Sequence, residues 1–145
     1  APNGDIVALW TENRGQAGQG LDVMLARLRS GETSFDPPVS IVSNPANQTE
    51  GVGRFDAAGR LHMAWVDERD GAKNVYYGLY DIASDRMIEE QAITQTTGDT
   101  RQPALALGAH GEVCIAWTDF RHGNGQIYSR KGIRPAKAGK WQYYK

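Results

Sequence analysis

One short motif occurs three times in the sequence, and this repetition constrains the fold more than any other feature. The copies are Leu9–Arg14, Ala64–Arg69 and Ile115–Arg121, and each contains Trp-x-(Asp/Glu)-x-Arg. Their tryptophans, at positions 10, 65 and 117, are separated by 55 and 52 residues. A glycine stands six residues before each tryptophan and another soon after each arginine: Gly4, Gly59 and Gly111, then Gly15, Gly71 and Gly123. Self-similarity at this period indicates one supersecondary unit stacked repeatedly.

Short apolar runs between turn residues predict strands in every repeat. Such runs, bounded by glycines, are typical of strands buried on both faces, and their regular spacing favours an all-β architecture. In the third repeat the predicted strands are Pro103–Leu107, Val113–Trp117, Gln126–Arg130 and Trp141–Tyr144. In the second they are Gly51–Asp56, Leu61–Trp65, Asn74–Gly78 and Gln91–Thr94. Four antiparallel strands per repeat make one blade of a β-propeller.

The first repeat is shorter than the others. Its predicted strands are Ile6–Trp10, Leu21–Ala26 and Val39–Val42, so the innermost strand expected before Gly4 is absent. The chain is therefore predicted to be a single repeat domain, 1–145, with blades at about 4–48, 49–98 and 99–145.

The repeats resemble a known family. The pattern apolar-Trp-x-Asp-x-Arg-x-Gly, followed by Ile-Tyr, is similar to the repeats of bacterial sialidase-type (BNR, or Asp-box) six-bladed propellers. Arg29–Pro38 resembles a degenerate Asp box, a motif that lies between the third and fourth strands of a blade in that family; its Asp is missing here and its spacing is altered. The resemblance implies half of a six-bladed ring and a glycan as ligand.

Three blades do not close a ring, because propellers have four to eight. Either two chains pair about a two-fold axis, or the blades belong to a longer chain. We favour the homodimer, since closed two-fold assemblies are the commonest oligomers.

Composition excludes several classes of partner. Sixteen Lys and Arg against 17 Asp and Glu leave a net charge of −1, which argues against nucleic acid and anionic membranes as partners. The single Cys allows no internal disulfide and no Cys-based metal site, and we expect no cofactor. The start Ala1-Pro2-Asn3-Gly4 would suit a processed N-terminus, so a secreted or periplasmic location is predicted.

The motif arginines are the first candidates for a binding site. Arg14, Arg69 and Arg121 could together clamp a carboxylate, as the three arginines of sialidases do. The competing interpretation is structural: residues two apart on a strand share a face, so Asp67 and Asp119 would form local ion pairs with Arg69 and Arg121. The candidate ligand contacts are Arg14, Arg69, Arg121, Asp67 and Asp119.

No catalytic residue is assigned. Sialidases use a Tyr nucleophile, but no tyrosine stands in a matching motif, and Tyr76 and Tyr128 are expected to pack between blades. The loop Asp67–Gly71 lacks the regular spacing of a Ca²⁺ loop and is expected to be a solvated turn, so no metal site is predicted. His62 and Cys114 share a column of the core strands and are predicted to be a hydrogen-bonded core histidine and a buried small side chain.

The motif tryptophans are predicted to pack between neighbouring blades, although they could also stack on sugars. The function favoured by these patterns is a non-catalytic binding or scaffold half-propeller, and the family resemblance suggests a glycan or another extracellular polymer as its ligand. The alternative is a fragment of a sialidase-like glycoside hydrolase, and a third is a purely structural repeat unit.

Overall fold

The computed structural model describes residues 1–15, 20–133 and 141–144, and this part of the chain consists of strands, turns and loops without a helix. Eleven strands follow one another along the chain: β1 (Ile6–Asn13), β2 (Leu21–Leu28), β3 (Val39–Val42), β4 (Gln48–Phe55), β5 (Leu61–Asp67), β6 (Asn74–Asp81), β7 (Arg86–Ala92), β8 (Thr100–Leu107), β9 (Glu112–Asp119), β10 (Gln126–Ile133) and β11 (Trp141–Tyr144). In the described residues no helix is long and apolar enough to cross a membrane.

The strands form three antiparallel sheets in which neighbours in sequence are neighbours in space. The sheets have the orders β1-β2-β3, β4-β5-β6-β7 and β8-β9-β10-β11. The first sheet thus has three strands and the other two have four, as the sequence predicts. The prediction of all-β propeller blades is confirmed, and we call the sheets blades 1, 2 and 3.

The motif glycines are explained by the turns that they occupy. Gly59 lies in the hairpin turn before β5 with φ +80°, and Gly71 ends the turn after the same strand with φ +81°. This left-handed region is open to glycine without a steric penalty. The equivalent glycines of the other repeats have the same sign of φ: Gly4, Gly15, Gly111 and Gly123.

The core lies between successive blades. Alternate residues of β5 point to opposite faces of the sheet. Leu61, Met63 and Trp65 pack towards blade 1, in a cluster with Val23, Leu25, Val42, Tyr76 and Tyr80. The other face of blade 2 packs on blade 3 in a second cluster: Ala64, Val75, Tyr77, Leu79, Ile93, Leu105, Val113, Ile115 and Trp117.

One strand was predicted in the wrong place. The outermost strand of blade 2 is Arg86–Ala92 rather than Gln91–Thr94. Its side chains mostly alternate between exposed and half-buried, as expected for the edge strand of this sheet. Charged residues such as Glu89 and Glu90 are compatible with such an edge strand.

The outward faces of blades 1 and 3 expose apolar side chains. Ile6 on β1 is 57% exposed, and Ile127 on β10 is 74% exposed. Cys114 was predicted to be buried, and this prediction is wrong: the side chain is exposed. It lies on the face of β9 opposite to Ile115 and Trp117, and in the described chain no further blade covers that face.

Candidate functional site

The repeated motif builds a closed polar cluster in blade 2. Asp67 is fully buried. Its carboxylate accepts hydrogen bonds from the Trp65 indole N–H at 2.9 Å, from the Arg69 backbone N–H at 2.9 Å and from the Arg69 guanidinium at 2.5 Å. The guanidinium lies 4.6 Å from the centre of the Tyr76 ring, which stacks on Trp65. A second guanidinium nitrogen donates to Glu90 on the outermost strand, β7.

Blade 3 repeats the cluster. Asp119 is buried and accepts from the Trp117 indole at 3.0 Å and from the backbone, Nε and terminal nitrogen of Arg121 at 2.9, 2.9 and 2.5 Å. The Arg121 guanidinium lies 4.5 Å from the centre of the Tyr128 ring, and Tyr128 stacks on Trp117. The two blades therefore share one local design of Trp, Asp, Arg and Tyr.

Blade 1 departs from this design. The Trp10 indole donates to Glu12 at 2.8 Å, but Met24 takes the place across the ladder that Tyr76 and Tyr128 have in the other blades. Arg14 is exposed. With Met24 opposite Trp10, the described residues of blade 1 show no counterpart of the cation–π contacts made by Arg69 and Arg121.

Electrostatics hold the two aspartates ionised. Burial raises the pKa of Asp67, but hydrogen bonds from the Arg69 side chain, the Trp65 indole and the Arg69 backbone outweigh it, so the pKa is lowered. The same balance around Asp119, with Arg121 and Trp117 as donors, lowers its pKa to about 2. The side-chain hydrogen bond to Asp67 is the main cause of the raised pKa of Arg69.

The predicted ligand contacts are therefore grouped into separate pairs. The structure brings Asp67 to Arg69 and Asp119 to Arg121, as the structural interpretation predicts. In the described residues no hydrogen bond or ion pair joins one pair to the other, and Arg69 reaches outwards to Glu90. Ligand binding by Arg14, Arg69, Arg121, Asp67 and Asp119 stays a prediction.

His62 is a hydrogen-bonded core histidine, as predicted. It is 4% exposed, its Nδ1 lies 2.8 Å from the Tyr77 hydroxyl, and its Nε2 lies 3.3 Å from the Asp56 carboxylate. Among the residues that the structure describes, no group of three or more His, Cys, Asp or Glu side chains is placed to hold a metal ion.

Sequence reasoning missed a pair of β-bulges in the innermost strands. The ladder between β4 and β5 shifts register between Thr49 and Val52, and that between β8 and β9 shifts between Arg101 and Ala104. Each bulge lies opposite the motif tryptophan of its blade. Glu50 and Gln102, at equivalent positions in the two bulges, have φ of 56° and 55°. This left-handed conformation is unusual for residues other than glycine.

The two bulges contact each other and gather polar groups around them. The Gln102 backbone N–H donates to the Glu50 carboxylate, and the Thr118 hydroxyl donates to the Gln102 side-chain oxygen at 3.1 Å. Arg101 donates to Asp99 at 2.8 Å and lies 5.6 Å from the centre of the Phe120 ring. We call these six residues the bulge cluster: Glu50, Asp99, Arg101, Gln102, Thr118 and Phe120. The only sequence signal for it is that Glu50 precedes Gly51 and Gln102 precedes Pro103 at the same place in the repeat.

Backbone strain at a bulge residue should be measurable as stability. The change Gln102→Gly is expected to raise the free energy of unfolding by about 0.5–1 kcal/mol, because relief of the left-handed conformation exceeds the added chain entropy of unfolded glycine. Urea denaturation measures this difference. The control is Gln95→Gly, at an exposed loop residue outside the left-handed region, which should lose stability. Equal losses in both variants would contradict the assignment of strain to Gln102.

Comparisons with known proteins identify a fold neighbour. No family model matches the sequence, and no curated protein matches it significantly. Among solved structures, the chain is similar to the crystal structure of an endo-arabinase from Bacteroides thetaiotaomicron, with a TM-score of 0.65 and 13% sequence identity. The match covers 97% of this chain, which spans 57% of the length of the arabinase chain. At this identity the likeness shows the fold alone. No sialidase-type family model matches the sequence, so the resemblance of the repeats to that family is limited to the blade architecture.

Proposed function

We propose that this chain is a non-catalytic binding or scaffold segment of a β-propeller and that a second copy completes its ring. The observation that carries the proposal is the position of Trp10. Trp65 and Trp117 each pack from their own blade into the core shared with the preceding blade. Trp10 has the same place in the first repeat, on a face of β1 with no preceding blade in the described chain.

The opposite end of the chain supports the same arrangement. Cys114, Ala116 and Ile127 lie on one face of blade 3, at positions equivalent to the blade 2 residues His62, Ala64 and Val75 that face the next blade. Each chain therefore carries both halves of an interface that it already forms twice internally. Two chains related by a two-fold axis would make that contact twice and close six blades.

Solution mass tests the assembly. Light scattering is expected to give about twice 15.9 kDa, and a thiol reagent should modify Cys114 slowly because the partner covers it. Ile127→Lys should give a monomer with a rapidly modified Cys114, without loss of the fold, since Ile127 is 74% exposed. Ile88→Lys is the control, because Ile88 is 46% exposed on the outer strand β7 and should leave the dimer intact.

A wild-type chain that stays monomeric, with Cys114 modified rapidly at every concentration, would overturn the homodimer. The partner would then be further blades of a longer chain.

A fragment of a glycoside hydrolase is the second candidate function, and the likeness to an endo-arabinase favours it. By its name that enzyme acts on arabinan. Release of reducing ends from arabinan by this chain would establish the hydrolase and exclude the non-catalytic module. Intact arabinan after prolonged incubation with the assembled dimer supports the binding module.

A further inference from the structure

We infer that the bulge cluster is a binding site for a segment of an uncharged polysaccharide. The inference rests on the proposed binding function and names a site and a class of ligand for it. The site belongs to blades 2 and 3 of one chain, so it is complete before any second copy docks. It uses none of the motif arginines.

Two neighbouring blades keep the same unfavourable conformation at the same place. Glu50 and Gln102 are both exposed. Packing of their side chains in a core therefore does not offset the energetic cost of the left-handed backbone. Bulges re-aim side chains and are over-represented beside binding and active sites, and backbone strain is concentrated at such sites. Since the bulge recurs in β4 and β8, the repeat presents a side chain at this position from each blade that has an innermost strand.

The groups presented there match sugar hydroxyls. The Glu50 carboxylate accepts hydrogen bonds, and the Gln102 side-chain amide both donates and accepts. One terminal nitrogen of the Arg101 guanidinium donates to the Asp99 carboxylate at 2.8 Å. The guanidinium has further N–H donors that could bind a ligand. A sugar ring carries hydroxyls that are donors and acceptors at once, so it can pair with every one of these groups.

An aromatic ring stands beside these polar groups. Phe120 is 37% exposed, and the Arg101 guanidinium lies 5.6 Å from the centre of its ring. The ring packs closely on Gly125: a Cβ atom added to this glycine would lie 3.1 Å from the nearest ring carbons. A fixed, accessible ring next to hydrogen-bonding groups provides a platform for the apolar face of a sugar.

The charges of the cluster select against acidic sugars. Two carboxylates, Glu50 and Asp99, face one guanidinium, and Arg101 is already paired with Asp99. The motif arginines Arg69 and Arg121 are already paired with buried aspartates. A sialic or uronic acid would therefore meet uncompensated negative charge, whereas an uncharged chain would not.

Isothermal titration of the full chain tests this inference with linear arabinan, xylan, mannan and mixed-linkage glucan as uncharged probes, and with sialyllactose and polygalacturonate as acidic ones. At least one uncharged polysaccharide should bind, and neither acidic probe should. Glu50→Gln and Phe120→Ala should each weaken that binding about tenfold, by loss of a charge-assisted hydrogen bond and of the ring platform. Glu32→Gln and Phe35→Ala are matched controls on the β2–β3 connection, where both side chains are exposed, and should leave the affinity unchanged.

The possible outcomes separate this site from the proposed assembly. Ile127→Lys should still bind the uncharged probe as a monomer. Absence of a dimer would therefore not contradict the binding site, and absence of binding would not contradict the dimer. The inference is overturned if no uncharged polysaccharide binds, if both cluster variants bind as well as the controls, or if sialyllactose binds and Arg121→Ala abolishes it.

Discussion

Replacing Trp65 by alanine is expected to lower the free energy of unfolding by about 3–5 kcal/mol, the usual range for a fully buried aromatic side chain. Trp65 is 0% exposed and lies between blades 1 and 2, in a core cluster with Val23, Leu25 and Met63 among others. Its removal leaves a cavity at the contact that joins two blades. It also removes the indole N–H from the buried Asp67 carboxylate. Urea denaturation followed by far-UV circular dichroism measures the loss.

Trp10→Ala is the matched control, because it removes the same side chain from the same place in the motif. Trp10 is only half-buried, so the loss in a dilute, monomeric sample should be well below that of Trp65→Ala. Trp65→Phe should fall between the two, because it keeps most of the ring and loses the N–H donor. If Trp10→Ala and Trp65→Ala lowered the free energy of unfolding equally, packing of the motif tryptophans between blades would not be the source of their contribution to stability.

The blade architecture was predictable because it depends on local, repeated signals. The spacing of Trp10, Trp65 and Trp117 gives the period, and glycines such as Gly59 and Gly71 mark turns that require a left-handed residue. Burial of individual residues was less predictable. Cys114 belongs to an apolar run like that of β5, but its exposure depends on whether another blade follows, and no local pattern carries that information.

The candidate site was predictable only where it depends on neighbours along one strand. The pairing of Asp67 with Arg69 follows from their separation by two residues. The Tyr76 ring in the same cluster is brought there by the register of β5 with β6, in which Tyr76 lies opposite Trp65. The bulges at Glu50 and Gln102 arise from a register shift between strands and from the contact between blades, so the sequence contained almost no signal for them.

Asp67→Ala is expected to be the second most damaging change, lowering the free energy of unfolding by about 2–4 kcal/mol. It leaves the buried Trp65 N–H without an acceptor and the Arg69 guanidinium without its carboxylate. Breaking a fully buried ion pair costs about 3–5 kcal/mol, and the value here is smaller because Arg69 is 29% exposed and water can solvate part of it. Asp36→Ala is the control. Its partner Arg29 is 56% exposed, so that surface pair should contribute at most about 1 kcal/mol.

Acid titration distinguishes loss of this carboxylate charge from loss of packing. The pKa of Asp67 is lower in the folded chain than the ordinary value of 3.8, so its ionised form stabilises the fold above that pH. The contribution disappears as the pH falls below about 4 and through the lowered pKa, because the folded state then binds the proton that the unfolded state has already taken up. Asp67→Asn keeps the size and removes the titration, so its stability should vary less between pH 5 and pH 2 than that of the wild type. An unchanged slope in Asp67→Asn would mean that the cluster stabilises the blade by packing and neutral hydrogen bonds, with no net contribution from the charge of Asp67.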